Sequence, residues 1–253
     1  MKRFFLTLIL YMHQVFTLSI SHEDAYLIGE KIWKNECSSS KEKLTHWNVG
    51  ENFASLGIGH FIWYPKNEPK KFQETFPNLI NFLKAHGAML PLWLEATASC
   101  PWDSRETFYA NIQCQEMKEL RAFLYETRAL QAIFIAQRLE PAIEEILKLS
   151  PENSREHIAK TFEALSKSGK GLYAMIDYLN FKGAGTSPDE KYEGEGWGLF
   201  QVLQFMPAVS ESPIQDFIAS AKKVLMTRVQ NAPPERNEAR WLPGWLNRIA
   251  TYL

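Results

Sequence analysis

The sequence is poor in cysteine and in metal-ligand motifs. Only three cysteines occur in 253 residues, and no two of them form a Cys-x-x-Cys pair. This pattern excludes a scaffold built on dense disulfides and a zinc site built on cysteine. The six histidines are scattered and no His-Glu-x-x-His motif is present, so we predict no metal site and no cofactor.

Charge of either sign is not in excess. The chain has 28 basic and 29 acidic side chains, for a formal net charge of -1. A nucleic-acid-binding domain normally carries a basic excess, and a disordered tail normally carries a run of like charge. We therefore expect no nucleic-acid partner, and nothing in the sequence indicates an obligate protein partner.

The chain also lacks several motifs of common enzyme classes. There is no Gly-x-x-x-x-Gly-Lys-[Ser/Thr] phosphate loop and no complete Gly-x-Gly-x-x-Gly fingerprint. Gly-x-Ser-x-Gly is absent as well, so a serine hydrolase of the α/β type is not indicated. What remains is a chain that is 45% hydrophobic and rich in aromatic residues, including eight tryptophans, which is enough for a sizeable core.

The apolar segment near the N-terminus is too short to span a bilayer. Residues 4–12 read FFLTLILYM and are followed by His13, whereas a spanning helix needs about 20 apolar residues. Two basic residues precede the segment, and Ser19 and Ser21 stand at the −3 and −1 positions of a cut after Ser21. The pattern is typical of a cleaved export signal, although an uncleaved anchor and a buried helix are alternatives.

Export sets the domain boundaries and the redox environment. We predict a signal peptide over residues 1–21 and one domain over residues 22–253, located in the periplasm or secreted. In an oxidising compartment Cys100 and Cys114 either pair, leaving Cys37 free, or all three thiols stay reduced; the sequence leaves both open.

Hydrophobic spacing predicts a mainly α (α+β) fold. Residues 23–36 carry an apolar stripe with helical spacing, and helical spacing dominates from residue 70 onward. Residues 52–64 (NFASLGIGHFIWY) are broken by glycine and rich in aromatic residues, which suits a short hairpin or an extended loop. Strands and helices do not alternate, so a doubly wound sheet is not expected.

Glu36 is the first candidate catalytic residue. It lies at the end of the first predicted helix, beside Ile32 and Trp33, where partial desolvation favours the protonated form of a carboxylic acid. A protonated carboxyl near neutral pH is what a general acid for a glycosidic oxygen requires. Downstream, Ser55 is placed to position a water molecule, and His60 closes the run SLGIGH, whose two glycines permit a tight turn.

These residues resemble the phage-type lysozymes and endolysins of the lysozyme-like superfamily. That family has a Glu closing an N-terminal helix, a polar loop, and then [Ser/Thr]-x-Gly-x-Gly-His. The matching positions are Glu36, Ser55 and His60, and the likeness covers about residues 26–62. The resemblance implies a lysozyme-like fold, Glu36 as catalytic acid, and Ser55 as the hydroxyl residue that helps hold the water or a second carboxylate.

One position departs from the family pattern. An Asp usually stands six residues before the hydroxyl, whereas this chain has Val49 there. Either Glu51 supplies the second carboxylate by a shifted alignment, or Asn48 orients the water. If neither does, a one-acid mechanism like that of the lytic transglycosylases remains.

A polar loop in the second half supplies candidate sugar ligands. Within residues 177–201, Tyr192 and Trp197 are suited to stack on sugar rings. Asn180, Lys182 and Gln201 are suited to hydrogen-bond N-acetyl and hydroxyl groups. As an alternative to Glu51 and Asn48, the partner acid of Glu36 comes from this loop; the candidates are Asp177, Glu190 and Glu195.

The combined hypothesis is an exported glycosidase that cleaves β-1,4 bonds of peptidoglycan or a related amino-sugar polymer. Glu36 is the proposed acid, and its proposed helpers are Glu51 and Ser55. A lytic transglycosylase is one alternative. A cell-wall-binding or carbohydrate-binding protein of the same fold without turnover is the other, and the missing Asp favours it.

Overall fold

The computed structural model describes residues 20–188 and 190–253, so the predicted export signal lies almost wholly outside the described residues. The fold is mainly helical, with 61% helix and 6% strand, which confirms the mainly α prediction. The α-helices are α1 (His22–Cys37), α2 (Phe76–Ala85), α3 (Leu92–Glu95), α4 (Arg105–Ala110), α5 (Gln115–Glu126), α6 (Arg128–Ala136), α7 (Leu139–Leu149), α8 (Glu152–Ser166), α9 (Gly169–Lys182), α10 (Leu199–Phe205), α11 (Pro213–Asn231) and α12 (Leu242–Ala250).

Two small antiparallel sheets accompany the helices. The first has the order β1-β2-β3, and the second is a two-stranded ribbon of β4 and β5. The strands are β1 (Thr45–His46), β2 (Ala54–Leu56), β3 (Phe61–Trp63), β4 (Lys191–Tyr192) and β5 (Glu195–Gly196). The hairpin expected within residues 52–64 is present as β2 and β3, with Leu56 paired to Phe61 across the turn.

Helix α6 holds the turn of this hairpin in place. Gly57 adopts a φ of +70°, which glycine tolerates without strain. A Cβ at this position would lie 2.4 Å from Oε1 of Gln131, so the absence of a side chain lets α6 approach. Gln131 is fully buried, and its Oε1 accepts the Ile58 backbone N–H at 3.0 Å. The glycine-containing turn is therefore anchored to the helical core.

Helix α1 is held close to α6 by a second glycine. A Cβ at Gly29 would lie 2.8 Å from the Arg128 carbonyl oxygen, so only glycine permits this approach. Helix α1 begins after Ser21, whose hydroxyl accepts the Asp24 backbone N–H, and it packs on α6 and α9. This packing fixes the position of the last turn of α1, where Glu36 lies.

Two predicted long helices are each broken into two. Helical spacing over residues 104–127 predicts one element, but a turn at residues 111–114 separates α4 from α5. Ser104 caps α4 by accepting the Thr107 N–H, and Cys114 caps α5 by accepting the Met117 N–H at 3.4 Å. Similar spacing over residues 128–149 covers α6 and α7. Hydrophobic periodicity continues across a short break when both helices keep the same face toward the core. Periodicity alone therefore overestimates helix length.

The helices enclose one continuous hydrophobic core that includes the inner face of the first sheet. The C-terminal segment is part of that core, because Ile249 and Tyr252 are fully buried against α11 and α9. No helix within the two described ranges combines the length and hydropathy needed to cross a membrane.

Candidate active site

Glu36 is partly buried and paired with an arginine from the far end of the chain. It lies in the last turn of α1, with 16% of its side chain exposed. Its Oε1 accepts a hydrogen bond from Nη2 of Arg248 at 2.5 Å. The sequence indicates only apolar neighbours, Ile32 and Trp33, beside this acid. The structure therefore adds a cation that the local sequence does not indicate.

Arg248 is held in place by a buried aspartate. Its Nε and Nη2 donate to the two carboxylate oxygens of Asp177 at 2.8 and 2.9 Å, a two-bond geometry that also fixes the guanidinium plane. The Tyr252 hydroxyl donates to the same carboxylate at 2.8 Å. Burial by itself lowers the pKa of Arg248, but the bonds to Asp177 and the charges of Asp177 and Glu36 raise it overall. Arg248 is therefore a permanent cation beside Glu36.

His60, which ends the turn of the hairpin, is influenced by several charged groups. Desolvation by the surrounding protein lowers its pKa; the charges of Glu36 and Glu51 oppose this shift, and those of His46 and Arg248 add to it. The residue nevertheless keeps exposed surface. The charges of four ionisable groups from three parts of the chain therefore act on His60.

A hydrogen-bonded chain connects Glu51 to β1. Nδ2 of Asn48 donates to Oε2 of Glu51 at 3.0 Å, and its Oδ1 faces Nε2 of His46 at 2.8 Å. Because Oδ1 can only accept, Nε2 of His46 carries the hydrogen in this arrangement. Nδ1 of His46 faces the Tyr109 hydroxyl at 3.2 Å. The two candidates for the second catalytic role, Glu51 and Asn48, are therefore bonded to each other.

Ser55 occupies the middle strand of the first sheet. It pairs directly with His46 of β1 and Ile62 of β3, and only 5% of it is exposed. Directly paired residues project on the same face of a sheet, so Ser55 lies beside His46. Val49, which stands where the resembled family has an Asp, is 83% exposed and lies outside this network.

The aromatic candidates of the second half pack against a buried ion pair. The rings of Tyr192 and Trp197 lie 4.7 Å apart, and the Tyr192 hydroxyl donates to Glu238 at 2.9 Å. Arg228 donates twice to Glu238 and lies 4.0 Å above the Trp197 ring. Trp197 is 8% exposed, so its ring is engaged by protein rather than by solvent.

Gln201 and Asn180 make protein contacts of their own. Oε1 of Gln201 accepts the Gly198 N–H at 2.9 Å and its Nε2 donates to the Gly185 carbonyl at 3.1 Å, so this buried amide closes the loop on itself. Oδ1 of Asn180 accepts from Arg138 at 3.4 Å. The polar loop is folded inward at Gln201, which the sequence interpretation had assigned to sugar binding.

A continuous series of side chains nevertheless connects the two halves. From Glu36 it passes to Arg248, which lies 4.4 Å above the Phe181 ring. The Lys182 ammonium lies 4.0 Å from the same ring and 3.4 Å from that of Trp245. Three acids from residues 177–201 were candidates for the partner of Glu36. Of these, Asp177 is connected to Glu36, because Arg248 donates hydrogen bonds to both.

Sequence reasoning proposed Glu36, Ser55 and His60. It interpreted Arg248 as a residue that stacks on tryptophan and locks the last helix, and it did not single out Tyr109. The sequence offers a signal for Tyr109 only in its aromatic type, which is equally typical of a core residue. Two surface cavities, of about 760 and 290 Å³, lie elsewhere, near the loop before α3. Neither is lined by a predicted site residue.

No protein-family model, curated protein or solved structure matches this chain. Within the described residues, no group of three or more His, Cys, Asp or Glu side chains is arranged to hold a metal ion.

Proposed function

We propose that this chain is an exported glycosidase of lysozyme-like fold that cleaves β-1,4 bonds of peptidoglycan or a related amino-sugar polymer. Glu36 is the general acid in this proposal. The observation that carries it is the partly buried Glu36 at the end of α1, whose charge, like that of Glu51, acts on His60 at the hairpin whose turn reads GIGH. Glycoside hydrolysis normally uses two carboxyl groups, and Glu36 and Glu51 are the two that the proposal assigns.

Arg248 gives Glu36 a resting position between reaction steps. Glu36 must carry a proton and face the glycosidic oxygen when the bond breaks. Arg248 keeps both bonds to Asp177 when Glu36 turns away, so the release of Glu36 leaves no unpaired buried cation. After giving up its proton, Glu36 is a carboxylate and returns to Arg248. The proposal therefore requires that the bond between Glu36 and Arg248 breaks before Glu36 gives its proton to the glycosidic oxygen.

Glu51 is the best-placed group for the second role. The hydrogen bond from Asn48 fixes one of its oxygens, which leaves the other to accept a proton from water or to face the developing positive charge at the sugar. Ser55, beside His46 in the sheet, supplies a hydroxyl on the same face. The structure therefore favours Glu51 and Asn48 acting together over either residue acting alone.

A second candidate function is sugar binding without turnover. The ion pair between Arg248 and Glu36 favours it, because the proposed acid is engaged by protein and not by a substrate. The exposed Val49 at the family's Asp position favours it as well. Transglycosylase chemistry, in which the sugar's N-acetyl group replaces the second carboxylate, becomes the preferred mechanism if Glu51 proves dispensable.

The test is digestion of purified peptidoglycan with analysis of the products by mass. The wild-type chain should release muropeptides, and Glu36→Gln should lower the release by at least about 100-fold, the usual contribution of a general acid. Hydrated ends identify a hydrolase, and ends that lack one water identify a transglycosylase. Glu51→Gln separates the two further, because only the hydrolase needs that carboxylate.

Glu23→Gln is the matched control, since it makes the same change on the exposed first turn of the same helix. It should retain wild-type release. Undiminished release by Glu36→Gln would overturn the assignment of the acid. Tight retention of the wild-type chain on peptidoglycan with no product would replace the glycosidase with the binding protein.

A further inference from the structure

A groove of about 760 Å³ lies between α5 and the segment that leads into α3. One of its walls is the run MLPLW, residues 89–93, in which five apolar residues follow one another. Met89 is 92% exposed and Leu92 is 85% exposed, although both side chains are large and apolar. Contiguous apolar surface of this kind often marks a site of interaction with another molecule.

One face of α5 forms the opposite wall. The α5 residues that line the groove recur at the three- and four-residue spacing of a single helix face. Phe123 is buried, and the exposed Ala122 presents only a methyl group, so the apolar lining continues onto this helix. The groove is therefore open to solvent and apolar on both sides.

Three glutamates also line the groove on the α5 wall. Glu116 and Glu126 are exposed, and Glu119 is half-buried. None of the ion pairs formed within the described part of the chain includes any of the three. Glu119 accepts a hydrogen bond from the Gln115 amide at 2.9 Å, which is a neutral donor. Apolar surface and unpaired negative charge thus occur together.

The basic residues close to the groove in sequence do not neutralise it by contact. Arg121 of α5 is buried, and it donates to the Thr45 hydroxyl at 2.7 Å. Lys118 stands outside the groove lining, and Lys84 lines the neighbouring cavity, where it pairs with Glu95. No lysine or arginine of the described ranges lines the groove, so complementary positive charge has to come from a partner.

The spacing of the acids indicates the shape of a complementary partner. Glu116 and Glu126 are ten positions apart on one helix, which corresponds to about 15 Å. A partner helix presents basic side chains at the same three- and four-residue spacing, while its apolar face enters the groove. Strand addition is disfavoured at this wall, because an α-helix uses its backbone hydrogen-bonding groups internally. Nucleic acids and anionic lipid surfaces carry the same sign of charge as the groove.

We infer that the groove between α5 and residues 89–93 docks a cationic amphipathic helix of a partner protein. Large apolar side chains of that helix contact Met89 and Leu92, and its lysines or arginines face Glu119 and Glu126. The inference does not depend on the proposed glycosidase, because none of the groove residues belongs to the candidate site around Glu36.

The experiment measures the binding of synthetic peptides to the full chain by calorimetry. The main probe is a peptide of about 15 residues, long enough to form a helix, with leucines on one face and lysines on the other. One control peptide has the same composition in a scrambled order, which keeps the charge and removes the apolar face. The second control peptide has glutamate in place of every lysine.

We expect the lysine peptide to bind better than either control peptide. Glu119→Gln combined with Glu126→Gln should weaken its binding about fivefold and reduce the salt dependence, as expected for two exposed ion pairs. Leu92→Ser should weaken binding about tenfold through the loss of a large apolar contact. The matched controls should keep wild-type affinity; they are Glu144→Gln combined with Glu145→Gln on the exposed face of α7, and Val209→Ser, at a residue that is 87% exposed outside the groove.

A charge reversal separates loss of recognition from loss of folding. Glu119→Lys combined with Glu126→Lys should bind the glutamate peptide better than the lysine peptide. A variant that had simply unfolded would not gain a preference of the opposite sign.

Equal binding of the scrambled peptide, or wild-type affinity in Leu92→Ser, would overturn the docking groove. Two other occupants are distinguished by the same variant. Dimerisation of the chain that Leu92→Ser abolishes, without peptide binding, would assign the groove to a second copy. Leu92-dependent binding to neutral phosphatidylcholine vesicles, again without peptide binding, would assign it to a lipid surface. Either result would overturn the proposed partner.

Discussion

Asp177 accepts two hydrogen bonds from Arg248, while the Nη2 atom of the same arginine also donates to Glu36. The carboxylate of Asp177 is 1% exposed, whereas that of Glu36 is 16% exposed. The arginine therefore has one permanent partner in the interior and one partner at the surface. The proposed acid is the more accessible of the two and the more easily released.

Asp177→Asn should destabilise the fold and reduce activity together. An amide cannot accept at both positions, so Arg248 loses its two-bond partner and pairs with Glu36 alone. Breaking a buried ion pair typically costs about 3–5 kcal/mol, which urea unfolding would measure. Asp103→Asn, at an exposed position, should cost less than about 0.5 kcal/mol. Equal stability of the two variants would show that the buried pair is dispensable.

Glu238→Gln should destabilise the fold at neutral pH and have little effect on stability in acid. Hydrogen bonds from Arg228 are the main reason that the pKa of Glu238 falls to about 2 from 4.5. A lowered carboxylate pKa contributes stability above pH 4.5 that is lost as the pH falls toward 2. We expect the variant to be less stable by about 3 kcal/mol at pH 7 and close to wild type near pH 2. A difference that does not vary with pH would contradict this linkage.

Lys182→Met should stabilise the folded chain more at low pH than at high pH. The Lys182 pKa is about 7 in the folded chain and 10.5 in a solvated one, so the unfolded state binds the extra proton between these values. The stability of the wild-type chain therefore rises with pH in this window, by at most about 1.4 kcal/mol per unit from this group. Thermal or urea unfolding at pH 6 and pH 10 checks the sign. A larger gain at pH 10 would be the opposite of the expected result.

Gln131→Ala should loosen the turn that precedes His60. The change leaves the buried Ile58 N–H without its acceptor, which typically costs about 1–3 kcal/mol. Hydrogen exchange at Ile58 should quicken more than at amides of α9, because the defect is local. Gln137→Ala, at the exposed end of the same helix, is the matched control. Unchanged protection of Ile58 would show that the turn holds itself.

The folded chain should contain one readily labelled thiol. All three cysteines are free, so neither the Cys100–Cys114 pair nor any other disulfide is present in the structure. Burial raises the pKa of both Cys37 and Cys100 to about 12, while Cys114 is only partly buried. At pH 8 a thiol reagent should react quickly with Cys114 and with the other two only after denaturation. Fewer than three thiols in denaturant without reductant would reveal a disulfide instead.

The sequence determined the local parts of this protein. Helical spacing specified α1 and α9, and the glycines of SLGIGH specified the turn between β2 and β3. These features depend on side-chain periodicity and on backbone freedom within a few residues, which a sequence displays directly. The position of Glu36 in the last turn of α1 was predictable for the same reason.

Tertiary structure decided what surrounds that acid. Arg248 stands 212 positions from Glu36, and its pairing with Asp177 depends on how α12 packs beside α9. No periodic pattern records such a contact, because ion pairing depends on distance in space and not on spacing along the chain. The same limit applies to Gln201, whose polar side chain was available to a ligand by sequence but is used by the backbone of its own loop.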